Sequence, residues 1–268
     1  MWRGMRFGLV SALVLVLAAC GGGSHDHPRS EGSSQPYRAA PLGIRSRPSA
    51  AARTTCATQA NFAPSSRLSY AAVVRLAATA YSRPGARALA RFGRIDQNGY
   101  PTVLGIVGAK TASGCEPTWY RVQLPVPPNG RTGWVPARAV RIYPLATRVV
   151  VRLTARRLVV YRSGRAVFHA RVGVGSPQTP TPLGSYFVNE RFLLSSPSGP
   201  FGVAALGISA HSDVLRNWAQ GGPIALHGTD DPASIGRAAT HGCIRLANAE
   251  MRRLFALVPA GTPVSIRR

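Results

Sequence analysis

The apolar and polar positions of this chain fall into four regimes. The first is a single apolar run, Phe7 to Ala19, broken only by Gly8 and Ser11 and preceded by Arg3 and Arg6. Such a run is too short to span a bilayer as a mature helix, and with its basic start it reads as an export signal over residues 1–20. The second regime, residues 21–53, is Gly, Ser, Pro, Ala and Arg with almost no large apolar side chain, so it builds no core and reads as a disordered tether. The third, residues 54–145, carries short apolar clusters at Tyr70 to Ala80, Ala88 to Ile95, Pro101 to Val107, Trp119 to Leu124 and Trp134 to Ile142. Pro84-Gly85, Asn98-Gly99, Gly114, Asn129-Gly130 and Gly133 punctuate them, which predicts several short strands in a small barrel or sandwich. The Tyr70 to Ala80 cluster is equally compatible with a helix.

The fourth regime, residues 146–268, is more continuous. Strands are expected at Val149 to Leu153, Leu158 to Tyr161 and Ala166 to Val174, the last two joined by a Ser163-Gly164 turn. Further strands are expected at Ser185 to Asn189, Ala205 to Ser209, Ile224 to His227, Cys243 to Leu246 and Pro263 to Ile266. Asn248 stands where it would cap a helix running to Val258, which Pro259 and Gly261 end, and a second short helix is expected over Val214 to Ala219. The expected fold class is therefore mainly β: a small β-barrel domain followed by a β-rich domain with a few short helices.

Composition changes this picture in one respect. A formal charge of +24 arises from 33 Lys+Arg against 9 Asp+Glu, and Lys110 is the only lysine. The arginines occur singly or in pairs through every segment, with no dense basic run, zinc-finger spacing or helix-turn-helix pattern. That distribution argues against a nucleic-acid partner and suits a solvated basic surface beside an anionic membrane or cell envelope.

The chemistry concentrates between Pro223 and Leu246, where His227, His241 and Cys243 share one short stretch with glycine on either side. A thiol is the strongest ordinary side-chain nucleophile and an imidazole its usual base, so cysteine-dependent acyl transfer is the leading chemistry. His227 lies sixteen positions before Cys243 and can reach it from the end of a neighbouring strand. Gly242 lets a reacting carbonyl come close, so the amides of Gly242 and Cys243 are candidates for an oxyanion site. Of the four cysteines, Cys56 and Cys115 fall in the third regime, where a disulfide and two unpaired thiols are both open.

Three resemblances sharpen this reading. Leu17-Ala18-Ala19-Cys20, followed by Gly21, resembles a bacterial lipobox, which implies lipidation of Cys20 and a membrane anchor facing the cell wall or periplasm; a plain secretory signal is the alternative. Trp119-Tyr120-Arg121-Val122 and Gly133-Trp134-Val135-Pro136 resemble the last strands of bacterial SH3-like domains, with Trp119 and Trp134 readable as core or as a ligand platform. The segments 154–164 (TARRLVVYRSG), Thr-Pro-Thr-Pro-Leu-Gly at 179–184, His-Gly-Thr at 227–229 and Thr-His-Gly-Cys-Ile-Arg-Leu at 240–246 resemble the successive motifs of the L,D-transpeptidase catalytic domain, also called the YkuD domain. This last resemblance implies Cys243 as nucleophile and His227 as base, oriented through the backbone carbonyl of Gly228, with no aspartate in the arrangement. Thr240, where many members have serine, together with His241 and Arg245, would support the site or contact substrate. Asp230 and Asp231 are assigned to the turn before Pro232.

The implied activity is peptidoglycan L,D-transpeptidation in cell-wall biogenesis: attack on a peptide stem, release of terminal D-alanine and transfer of the acyl group to a second stem, with no cofactor; the same site would serve water or a protein amine as acceptor. Two other classes stand beside it. His227, His241 and Cys243 are legitimate zinc ligands, although none of the usual accompanying ligand patterns is present. A wall-binding lipoprotein that works through its basic surface and first domain would need no thiol at all.

Overall fold

The computed structural model describes residues 59–60, 62, 64–194 and 197–268, all within one compact unit. Cys20, Cys56, the export signal and the tether lie outside the described residues.

Eight strands form the first sheet: β1 (Gln59–Ala60), β2 (Ser69–Val74), β3 (Ala77–Tyr81), β4 (Ala88–Gly93), β5 (Val103–Thr111), β6 (Pro117–Gln123), β7 (Thr132–Pro136) and β8 (Val140–Leu145). Their order is β4-β3-β7-β6-β5-β2-β8, with β1 added to β5, and every pairing is antiparallel. The Tyr70 to Ala80 cluster is two strands, β2 and β3. Its period-two burial, with Ala72, Val74, Ala78 and Ala80 inward and Arg75 and Leu76 exposed at the bend, fits a pleated strand pair and no helix face. Leu104, Ile106, Val122 and Val135 complete that core. Trp119 and Trp134 are half-buried and belong to no buried cluster; Trp119 meets Tyr81 edge to face at 5.8 Å.

The second sheet contains β9 (Thr147–Arg152), β10 (Arg157–Arg162), β11 (Arg165–Arg171), β13 (Gly184–Leu193), β14 (Ala204–His211), β15 (Pro223–His227), β17 (Ile244–Arg245) and β18 (Pro263–Arg267), in the order β11-β10-β9-β18-β13-β14-β15-β17. A small parallel pair, β12 (Val174–Gly175) with β16 (Ala238–Thr240), stands apart from it. The one α-helix among the described residues, α1 (Asn248–Leu257), buries Met251 and Leu254 in the core of this sheet. The structure is thus mainly β.

Two local expectations change. The helix expected over Val214 to Ala219 is a turn followed by a short 3-10 turn at Ala219–Gly221. The Ser212 hydroxyl accepts the amides of Val214 and Leu215 at 3.3 and 3.0 Å, which gives the backbone an alternative to helix, and Gly221 and Gly222 both sit at positive φ. At the start of α1, the cap position is Ala247 and Asn248 is already helical. The Asn248 side chain is used elsewhere, as described below.

The two sheets meet through polar groups and close packing contacts, among them the edge-to-face pair of Tyr100 and Phe192 at 5.0 Å. Gly105 on β5 lies against Phe187 on β13, where a β-carbon would come within 2.7 Å of the ring. Asn98 donates to Glu190 at 2.8 Å and Gln123 to the Ser185 carbonyl at 3.0 Å. Asn129 pairs with both backbone groups of His211, accepting its amide at 2.8 Å and donating to its carbonyl at 2.7 Å. The loop after β14 therefore departs from a point fixed by the first half of the chain.

Candidate active site

The parallel pairing of β15 with β17 sets Leu226 beside Ile244 and His227 beside Arg245. That register carries Cys243, one residue before β17, to the strand that ends in His227. Leu226, Ile224, Ile244 and Leu246 are buried beneath this pairing and hold it against the core. Cys243 is a free thiol and half-buried, whereas His227 is only 3% exposed.

His227 Nδ1 lies 2.5 Å from the Gly228 carbonyl oxygen. A carbonyl accepts only, so Nδ1 carries the proton and Nε2 is left as the basic nitrogen. Burial drives the His227 pKa down to about 4; the Gly228 carbonyl opposes that shift and the charge of Arg245 adds to it. Burial likewise pushes the Cys243 thiol up, partly offset by a hydrogen bond from the Ala225 backbone and by Arg245. The resting pair is accordingly a neutral imidazole and a neutral thiol. Phe201 covers one side of the His227 ring, edge to face at 5.0 Å.

The turn carrying Cys243 is braced from within and from below. Thr240 Oγ1 donates to the Cys243 carbonyl at 2.6 Å and accepts the Gly242 amide at 3.1 Å. Gly242 sits at φ 115°, a conformation that favours glycine, and a β-carbon there would come within 2.9 Å of Ile224. Because the Gly242 amide already serves Thr240, the Cys243 amide is the remaining donor of the pair expected at an oxyanion site. His241 is exposed, with its ring 5.4 Å from that of Trp218. Arg245 pairs with Asp231 at 3.4 Å on a partly exposed surface, and the Ser234 hydroxyl donates to the Asp231 carbonyl at 2.6 Å, so Asp231 shapes its turn. Among the described residues no three His, Cys, Asp or Glu side chains converge to hold a metal ion. Tyr186 is buried in the core and donates to the Leu183 carbonyl at 2.9 Å.

This geometry accompanies a specific likeness. The profile of the YkuD L,D-transpeptidase catalytic domain matches residues 146–266. The L,D-transpeptidase YkuD of Bacillus subtilis is 32% identical over 126 residues, which are 47% of this chain and 69% of that protein. The chain belongs to the YkuD family. The corresponding protein of Bacillus licheniformis is 36% identical over 119 residues, 44% of this chain and 64% of its own length. Among solved structures, Mycobacterium tuberculosis L,D-transpeptidase 3, in complex with a faropenem-derived adduct, is 19% identical with a TM-score of 0.38 over 51% of this chain and 73% of that one.

Thr179, Thr181 and Asn248 support the candidate site through long-range hydrogen bonds. Thr179 donates to the Thr240 carbonyl at 2.9 Å and Thr181 to the Gly242 carbonyl at 2.8 Å, so both threonines of the Thr-Pro-Thr-Pro motif hold the cysteine turn. Asn248 Oδ1 accepts the amides of Val203 at 3.3 Å and Thr229 at 3.1 Å, and its Nδ2 donates to the Pro197 carbonyl at 3.3 Å. It thereby joins the segment bearing Phe201 to the segment following His227. An asparagine before an apolar run signals a cap, and nothing local reveals partners some twenty and forty-five residues distant.

Proposed function

We propose that the chain is an exported peptidoglycan L,D-transpeptidase in which Cys243 is the nucleophile and His227 the proton carrier. The observation that supports this most directly is the His227 Nδ1 to Gly228 carbonyl bond, which leaves Nε2 basic on the strand that faces the cysteine turn. A peptide stem bound over the turn takes its carbonyl to Sγ while the thiol proton passes to Nε2. The carbon–sulfur bond forms, and the oxyanion is stabilised by the Cys243 amide. Collapse expels the terminal D-alanine, whose amine takes the proton from His227 and leaves a thioester on Cys243. An amine of a second stem attacks the thioester and gives its proton to His227, and the thiol is regenerated as the new amide forms.

Neither resting group is charged in this scheme, which is consistent with the lowered imidazole and raised thiol pKa. Phe201 and Trp218 stand beside the two histidines, at 5.0 and 5.4 Å between ring centres. His241 and Arg245 are supporting residues, Arg245 by its charge on the cysteine turn.

The remaining parts are placed around that chemistry. Residues 54–145 are read as an SH3-like domain and residues 146–268 as the catalytic domain. Cys115 is disulfide-bonded, as suits an oxidising compartment, and Cys56 lies outside the described residues. Lipidation of Cys20 would anchor the chain to a membrane beside the wall, with residues 21–53 as tether.

Incubation of the protein with a disaccharide-tetrapeptide tests the activity. The expected products are free D-alanine and a cross-linked dimer, both lost in Cys243→Ala. D-alanine release without a dimer would make water the acceptor, and unchanged turnover in Cys243→Ala would overturn the proposal.

A further inference from the structure

Like charges placed directly opposite on neighbouring strands repel, so a row of them needs a reason. The second sheet contains such a row. Arg157 on β10 is the register partner of Arg171 on β11 and of Arg152 on β9, and Arg152 is the partner of Arg267 on β18. Four arginines thus stand side by side across four adjacent strands.

Directly opposed residues share a face, and the strand neighbours Ala170, Leu158, Val151 and Ile266 are all buried on the other side. All four arginines are exposed. At the usual strand spacing the row is about 14 Å long. β9, β10, β11 and β18 contain no Asp or Glu, and among the described residues the only ion pair, Arg245–Asp231, involves none of the four arginines. Arg156 and Arg268, the chain neighbours of Arg157 and Arg267, are also exposed. The Arg171 side chain rests over Gly236, where a β-carbon would come within 2.6 Å of Nε.

We propose that Arg171, Arg157, Arg152 and Arg267 form a binding strip for a linear, phosphate-bearing polyanion. Guanidinium groups take phosphate oxygens two at a time, and a chain laid along the row removes the repulsion that the free protein bears. The charges lie in a line. The next row on the same face, His169, Val159, Val150 and Ser265, contains no permanently charged group, so the strip suits a polymer strand better than a planar membrane. The nearest tyrosine on that face, Tyr161, has Arg148 stacked over its ring at 3.9 Å, which removes the platform a nucleic-acid base would use. The strip crosses β11, β10, β9 and β18, and its Arg171 end leads through Val172 to Gly173, which is bridged to Arg245 on β17, two residues after Cys243. Binding would hold the enzyme on an anionic polymer. The inference rests on strand register and stands independently of the thiol chemistry.

Titration of the full chain with short-chain inorganic polyphosphate at several salt concentrations tests it. Four phosphate contacts predict a log-affinity against log-salt slope of about −3. The double variant Arg152→Gln/Arg157→Gln should bind at least about tenfold more weakly with roughly half that slope. Its acylation by a carbapenem should be unchanged and its thermal midpoint equal or higher. The control Arg91→Gln/Arg94→Gln, which removes the same charge from exposed positions on the first half, should bind like wild type. Equal binding by the double variant, or equal loss in the control, overturns the proposal. So does stronger binding to phosphatidylglycerol vesicles or to a single-stranded oligonucleotide than to polyphosphate.

Discussion

Thr181 donates its hydroxyl proton to the carbonyl of Gly242, at 2.8 Å, and with the same oxygen accepts the amide of Gly175 at 2.9 Å. One buried side chain, 3% exposed, therefore ties the Thr-Pro-Thr-Pro segment to the residue before the proposed nucleophile. Thr181→Val keeps the shape and leaves both backbone groups unpaired. We expect a loss of about 1–3 kcal/mol in chemical denaturation and slower acylation of Cys243 under conditions where the variant remains folded. Unchanged acylation would show that the turn keeps its geometry without this bond.

Asn248 gives a second handle on the same site. Asn248→Ala removes the acceptor shared by Val203 and Thr229 and frees the segment that seats Phe201 against His227. A destabilisation of about 1–3 kcal/mol is expected, with faster exchange of the Val203 and Thr229 amides. A loss confined to α1 would instead mark Asn248 as a helix-start residue alone.

How far the sequence reveals this site depends on the distance over which each residue acts. The strand pattern of residues 146–268 is a local signal and reads correctly; the glycine at 242 and the histidine sixteen positions before the cysteine are local signals too, and the fold brings their strands side by side. Asn248 misleads because its side-chain partners are remote, while its identity and its place before an apolar run match a cap. The Val214 to Ala219 segment misleads for the opposite reason: a local hydroxyl, Ser212, outcompetes the helix that the apolar spacing suggests. The paired threonines at 179 and 181 stand out in the sequence, but their targets, the carbonyls of the cysteine turn, emerge only once β12 and β16 are side by side. The arginine row is invisible in a chain where arginine is everywhere, because only strand register aligns four of them.

The buried imidazole sets the pH behaviour. His227 has a pKa near 4 in the folded protein, against an ordinary histidine value of about 6.5. Above about 6.5 neither state binds this proton; as the pH falls from there toward 4 the unfolded chain takes it up first, so stability declines through that window. Acylation of Cys243 should persist to about pH 5 and collapse toward 4 as the base is protonated. Both are measurable on wild type and His227→Gln, the variant lacking the histidine contribution to the stability slope. A rate that falls with a midpoint near 6.5 would show that His227 is not held neutral.

Asn129 links the first half of the chain to the active-site surroundings. It pairs with both backbone groups of His211, and the loop that leaves His211 carries Trp218 to His241. Asn129→Ala should leave the secondary structure intact and loosen Trp218. The expected readouts are a red-shifted, more quenchable tryptophan emission and a weaker KM for the stem peptide with kcat less affected. An effect on kcat alone would assign the loop to the chemical step.

Cys243 as nucleophile and His227 as its activating base are tested together by a carbapenem. The strained ring of a β-lactam is an acyl donor that a thiolate opens without leaving-group loss, so intact-mass spectrometry reads one adduct per chain. The prediction is a single addition of the full carbapenem mass to wild type, mapped to Cys243 after digestion. It should be absent in Cys243→Ala and strongly slowed in His227→Gln. An unshifted wild-type mass, under conditions where a control L,D-transpeptidase acylates, or an adduct that persists in Cys243→Ala, would contradict it.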